Sequence, residues 1–189
     1  AYLLVTLDAG SQDELDNMLE QMAELVLDAG AMDVLVADTP AKIKDAWAAR
    51  SSFLEAIMHE TKLLDECDVV VPVNKIADYL DFVNKTGEDC GLVIKSFGHA
   101  GDGNLHIYQC SNDLEEEEFK SRVDKFFEII YREATNCGGL VSGEHGIGSG
   151  KIKYLVDSVG ETNMALMEGI KRVFDPKMIL NPGKVCYRL

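Results

Sequence analysis

The chain has 189 residues, 47% apolar and 27% charged, which at ~100–200 residues per domain makes one domain, or two small ones, with a real core. Lys and Arg total 18 against 33 Asp and Glu, a net charge of −15 and a pI near 4.6. This balance excludes nucleic acid and anionic lipid as main partners, since both need a basic face, and the charge and apolar content together exclude low-complexity disorder.

Residues 2–7, YLLVTL, read as a short strand. The opening AYLLVTLDAG has no basic leader and no cleavage pattern, so it does not read as a signal peptide. No apolar run reaches membrane-spanning length. Ser11 opens a helix, with Glu14 completing a capping box. Leu15, Met18, Met22, Leu25 and Ala29 recur there at helical spacing, and Gly30 ends it. Residues 32–37, MDVLVA, form a second expected strand. Thr39 then caps a helix with Pro40 at its first position, and Ile43, Trp47, Arg50, Leu54 and Ile57 share one face of it.

Residues 68–71 make a third strand, closed by Pro72. A helix bearing Ile76, Leu80 and Val83 ends near Gly87. Residues 92–97 and 105–110 read as a strand pair across a Gly-rich connection. Ser111 caps a long helix whose acidic start, Glu115 to Glu118, suits the positive end of the helix dipole. Phe119, Val123, Phe126, Phe127 and Ile130 are its buried stripe. A Gly-rich segment at 138–150, a helix near 161–174 and the tail DPKMILNPGKVCYRL follow. With no internal repeat and no linker, the pattern predicts an α+β fold, a sheet covered by helices. The stretches 2–37 and 68–97 each read as βαβ-like, which suggests a split-βαβ arrangement.

Chemistry concentrates in two Gly-rich segments that hold three of the four histidines; the fourth, His59, reads as a surface residue. In FGHAGDGNLHIY (97–108), pairing residue 99 with residue 104 places His99 and His106 on the same side of a hairpin. Two imidazoles so placed can hold one divalent metal; equally, they can simply flank a tight hairpin whose turn uses Asp102 and Asn104. In GGLVSGEHGIGSGK (138–151), Glu144 and His145 are adjacent. In extended backbone they would point to opposite sides, one toward a metal and one toward a substrate; the plainer alternative is a glycine-rich turn with a chance Glu-His pair. Arg50 falls on an apolar helix face and needs an anion, either an internal carboxylate or a carboxylate ligand.

Several motifs are excluded. A Walker A loop ending at Gly150-Lys151 would need glycine at 145 and Ser or Thr at 152, where His145 and Ile152 stand. A GxGxxG from Gly146 fails at Lys151, and no GxSxG is present. The five cysteines, Cys67, Cys90, Cys110, Cys137 and Cys186, are spread without a CxxC, so free thiols in a reducing compartment, taken as the cytoplasm, are expected.

Five pieces together resemble the C-terminal domain of the FAD-linked oxidases, the group of D-lactate dehydrogenase, the glycolate oxidase flavin subunit and D-2-hydroxyglutarate dehydrogenase. They are Trp47-Ala-Ala-Arg50, Asp68-Val-Val-Val-Pro72, Gly98-His-Ala-Gly-Asp-Gly-Asn-Leu-His106, Ser142-Gly-Glu-His-Gly-Ile-Gly148 and Asp175-Pro-Lys-Met-Ile-Leu-Asn-Pro-Gly183, in the family's order. The resemblance implies a ferredoxin-like α+β domain over residues 1–189. It implies that His99, His106 and Glu144 bind a divalent metal, zinc or manganese. His145 matches the catalytic base, Arg50 the arginine that receives the substrate carboxylate, Asn104 a residue lining the substrate pocket, and Asn181 an asparagine of the tail that returns to the flavin.

On this resemblance the expected reaction is oxidation of a small 2-hydroxy acid to a 2-oxo acid, with the hydride passing to FAD. The FAD-binding domain that precedes this one in the family is not in the sequence, so the chain alone is expected to be inactive. Only Lys62 is available after the arginine helix, followed by Asp65 and Glu66, which tilts the expectation to a monocarboxylate such as D-lactate or glycolate. The expected partners are that FAD domain and an electron acceptor such as an electron-transferring flavoprotein, quinone or cytochrome; an exposed flavin-facing apolar patch would also allow self-association. Two other classes compete: a metal-dependent hydrolase using the same ligands, and a non-catalytic ferredoxin-like sensor or assembly module.

Overall fold

The structure is a computed structural model and describes residues 1–186. The chain divides into two compact units, residues 1–53 and 54–189.

The first unit holds α1 (Gln12–Asp28) and α2 (Pro40–Ser51). Ser11 caps α1 as its side chain accepts the Glu14 N–H, while the Glu14 carboxylate accepts the N–H of Gly10, one residue beyond the Ser11 N–H that a true capping box uses. Thr39 caps α2 the same way, with Pro40 at the first position. The two strands expected at 2–7 and 32–37 do not form: both segments are irregular, and Tyr2, Leu3, Met32 and Leu35 are largely exposed. A strand needs a paired edge as well as a suitable composition, and neither segment has one among the described residues. The single apolar face expected from Ile43 to Ile57 is also broken. Ser52 ends α2, and a separate helix α3 (Phe53–Glu60) follows; of the five residues, only Ile57 is buried.

The second unit is built on a three-stranded antiparallel sheet, β1 (Leu63–Val70), β2 (Val93–His99) and β3 (Asn104–Ser111), in the order β1-β3-β2. β1 and β2 flank β3, and α4 (Ile76–Cys90) crosses between them, so the split βαβ expected over 68–97 is present. The helix α5 (Glu116–Asn136) packs on α4 and β1. A single antiparallel bridge, Val70 with Leu140, lies where a ferredoxin-like sheet has its fourth strand. The fold is α+β. α4 runs past Gly87 to end at Gly91, in the left-handed region. Ser111 caps only a turn, accepting the N–H groups of Asp113 and Leu114, before α5 begins.

Strand alternation gives the sheet two unlike faces. Cys67, Val69, Leu105 and Ile107 point into the main core with Tyr79, Val83, Phe119, Val123, Phe126 and Ile130. The Tyr79 hydroxyl donates to the Ile130 carbonyl at 2.9 Å, and Arg122 on α5 donates to the carbonyl of Cys90 at the end of α4, so polar contacts fix the helix pair. The opposite face carries Glu66 and Asp68 on β1, Asn104 and His106 on β3, and Phe97 and His99 on β2. Its far end is closed by a small cluster of Ile57, Tyr108 and Cys110, against which Leu64 and Phe97 pack. The helix α6 (Ile152–Phe174) kinks at Gly160 and packs on α5. No described helix is long and apolar enough to cross a membrane.

Candidate functional site

The polar face of the sheet gathers the histidines. His99 pairs with Asn104 across the hairpin, the register that puts His99 and His106 on one side, and the rings of His99 and His106 lie edge-on, 6.1 Å apart. The turn between them depends on glycine. A Cβ on Gly103, where φ is +80°, would fall 1.9 Å from the Val71 carbonyl oxygen.

The segment 142–146 is an irregular turn that wraps one carboxylate oxygen. Asp68 Oδ2 accepts the backbone N–H groups of Gly143 (2.8 Å), Glu144 (2.8 Å) and His145 (2.9 Å) and the Ser142 hydroxyl (3.0 Å). Consecutive N–H groups turned inward make an anion nest. Lys151 donates to the other oxygen, Oδ1, and to the Asp68 carbonyl at 3.2 Å. Asp68 is fully buried. Burial alone would push its carboxyl up; Lys151 and the N–H groups of His145 and Glu144 outweigh that and hold it well below the usual carboxylate range.

This wrapping overturns the expectation that Glu144 and His145 point to opposite sides. The backbone there is curled, not extended, and both side chains approach His106. Glu144 Oε1 is 3.0 Å from His106 Nε2 and 3.8 Å from His145 Nε2, and the rings of His106 and His145 are 4.9 Å apart. Glu66 Oε1 lies 3.4 Å from Nδ1 of His106 and 3.4 Å from Nδ1 of His145. These are close enough for attraction but outside hydrogen-bond geometry. Glu66 Oε1, His106 Nδ1 and Asn104 Oδ1 are therefore buried without hydrogen-bond partners.

Two groups of potential ligands result, each with donor atoms within 4.8 Å of one another: His99, His106 and Glu144, and Glu66, His106 and His145. Imidazole nitrogens, carboxylate oxygens and orphaned buried atoms at one spot suit a divalent cation. Thiol chemistry has no place here. Burial pushes the nearby Cys67 thiol far above its ordinary value, so it stays protonated and inert.

Arg50 lies in the first unit, part-buried on α2, with its guanidinium 5.8 Å above the Phe53 ring. Asn181 is exposed on the tail beyond α6, at a φ of 46°. That tail is pinned by Asp175, whose carboxylate accepts the N–H groups of Ile179 and Leu180 and the Lys171 ammonium. Sequence reasoning missed Glu66, because the expected strand begins at residue 68, and Asp68, because its partners at 143–145 lie far away in the sequence. The two-residue spacing of Glu66 and Asp68, alternating with Cys67 and Val69, was the available signal.

Residues 1–185 match the family described as "FAD linked oxidases, C-terminal domain". The chain belongs to that family. It is 60% identical over 189 residues to D-lactate dehydrogenase of Anaerostipes hadrus, covering 100% of this chain and 40% of the relative. It is 33% identical over 187 residues to glycolate oxidase subunit GlcD of Bacillus subtilis, covering 98% of this chain and 39% of the relative. It is 35% identical over 147 residues to the mitochondrial D-lactate dehydrogenase [cytochrome] 1 of Saccharomyces cerevisiae, covering 75% of this chain and 24% of the relative. The chain thus spans two fifths or less of the length of these relatives.

Proposed function

We propose that this FAD-linked oxidase domain is the substrate- and metal-binding part of a flavin-dependent 2-hydroxy-acid dehydrogenase of the D-lactate or glycolate type. The reading is carried by the convergence of His99, His106, Glu144 and His145 on one sheet face in a family whose relatives are named for D-lactate and glycolate. Residues 1–189 form its C-terminal domain, and an FAD-binding domain outside this sequence supplies the hydride acceptor, which no side chain can provide.

His99, His106 and Glu144 are the metal ligands in this reading. A bound zinc or manganese ion would polarise the hydroxyl and lower its pKa. His145 is the base. Its Nδ1 faces Glu66 at 3.4 Å and Asp68 Oδ1 at 3.9 Å, which leaves Nε2 to take the hydroxyl proton. Arg50 receives the substrate carboxylate, Asn104 lines the pocket with its unpartnered Oδ1, and Asn181 faces the flavin. Lys62 is tied to the Asn112 carbonyl at 3.2 Å, and Glu66 puts a negative charge on the sheet face, while the Asp68 carboxylate is paired with Lys151. The first two features favour a monocarboxylate over a dicarboxylate.

The apolar row Leu166, Ile170, Val173 and Phe174 on α6 is exposed, which supports a covering partner such as the FAD domain or a second copy of the chain. A cytochrome acceptor is supported by the name of the yeast relative, with quinone and an electron-transferring flavoprotein as the other candidates. Five unpaired thiols, four of them buried, fit residence in the cytoplasm.

The test is turnover by the full-length flavoprotein with D-lactate or glycolate and a dye acceptor. Dye reduction lost in His145→Ala, with the fold and metal content kept, supports the reading. Full turnover in that variant removes the base assignment, and hydrolysis of an ester or amide by the chain without flavin favours a metal hydrolase instead.

A further inference from the structure

Glu144 and His145 sit on a turn with no helix or strand of its own. Gly143 precedes them and Gly146, at a φ of +80°, follows. Such backbone does not hold two side chains in place by itself. Locally, Ser142 Oγ accepts the Gly146 N–H at 2.9 Å, which closes the turn on itself; what ties it to the sheet is one buried side chain from another element, 74 or more positions away in the sequence.

Asp68 is the register partner of His106 across β1 and β3, so its backbone is fixed to the strand that carries that imidazole. Its Oδ2 takes all three N–H groups of residues 143–145, and its Oδ1 takes Lys151, the residue just before α6. One carboxylate therefore ties the His106 strand to both ends of the segment bearing Glu144 and His145. The geometry points to Asp68 as a positioning residue, which sets the distance of Glu144 and His145 from His106 without touching substrate or metal. The fixing of the turn stands on the hydrogen bonds alone. Only the roles of the residues it holds rest on the function proposed above.

The role predicts an asymmetry between Asp68 and Lys151. Removing Lys151 leaves the four donors on Oδ2 in place; removing the charge of Asp68 loosens the turn. The reference is Lys151→Met, and the test chain is Lys151→Met with Asp68→Asn, so that neither is left with an unpaired, part-buried ammonium. Two quantities are read: single-residue amide hydrogen exchange, and affinity for Mn²⁺ added alone. The expected result is that Lys151→Met keeps the amides of residues 143–145 protected. In the double variant, exchange at those three rises at least about tenfold while the amides of Leu105 and Ile107 are unchanged, and Mn²⁺ affinity falls by about 10–100-fold.

Equal protection of residues 143–145 in the two chains overturns the proposal. So does loss that extends equally to the β3 amides, which would mark general destabilisation, or Mn²⁺ affinity that is unchanged between chains that bind it. If the unmodified chain takes up no Mn²⁺ at all, the metal reading fails, and the exchange comparison still decides whether Asp68 fixes the turn.

Discussion

Gly143 stands so close to Asn104 that a Cβ on it would fall 2.2 Å from Asn104 Oδ1. Asn104 is itself buried on β3 and has little room to retreat. The turn bearing Glu144 is thus pressed onto the sheet by the absence of a side chain. Gly143→Ala is expected to push the turn outward while leaving the core on the other sheet face untouched. Mn²⁺ affinity should fall by about tenfold, and the melting temperature should fall as well, because the N–H groups of the turn are drawn away from the buried Asp68 carboxylate. Titration and a thermal scan on the same sample check this.

Glu66 shares one oxygen between two imidazoles, 3.4 Å from Nδ1 of His106 and of His145. Neither contact is a hydrogen bond, so the carboxylate acts on the two rings through its charge. Glu66→Gln keeps the size but removes the charge. The expected outcome is a 10–100-fold loss, roughly, in Mn²⁺ affinity with an unchanged far-ultraviolet circular dichroism spectrum. Unaltered affinity would mean that Glu66 is a bystander.

Asp175 sets the acid behaviour of the tail that carries Asn181. Burial works to raise its carboxyl, but the N–H of Leu180, the Lys171 ammonium and the N–H of Ile179 prevail and lower it below its ordinary 3.8. A depressed folded value means that the contribution is complete above 3.8 and is lost as the pH falls through the lower folded value. The amide shifts of Ile179 and Leu180 should therefore titrate with a midpoint below 3.8 and stay constant from there to neutral pH. A midpoint at or above the ordinary value would show that these hydrogen bonds do not form in solution.

The hairpin was legible because two local rules agree on it. The glycines at 101 and 103 mark the turn, and period-two alternation puts His99 and His106 on a shared side once residue 99 pairs with residue 104, the register the strands adopt. α4 and α5 were legible from their apolar stripes, to within a few residues at their ends. The segments 2–7 and 32–37 have strand-like composition, but pairing is a tertiary fact, and neither pairs among the described residues. The placing of Glu144 and His145 was hidden for the same reason. Their backbone curls around Asp68, a partner far away in sequence, and no local pattern announces that. Glu66 was obscured because the expected strand begins two residues after it, whereas β1 already runs from Leu63 and puts Glu66 and Asp68 on the site face.

The central claim is that His99, His106 and Glu144 form a divalent cation site on the sheet face. Metal analysis of the purified chain, beside His99→Ala/His106→Ala, tests it most directly after equilibration with Zn²⁺ or Mn²⁺, with and without D-lactate. The account predicts about one ion per chain, lost in the double variant while the circular dichroism spectrum is retained. No uptake of either ion under any of these conditions, or equal uptake by the two chains, would contradict it.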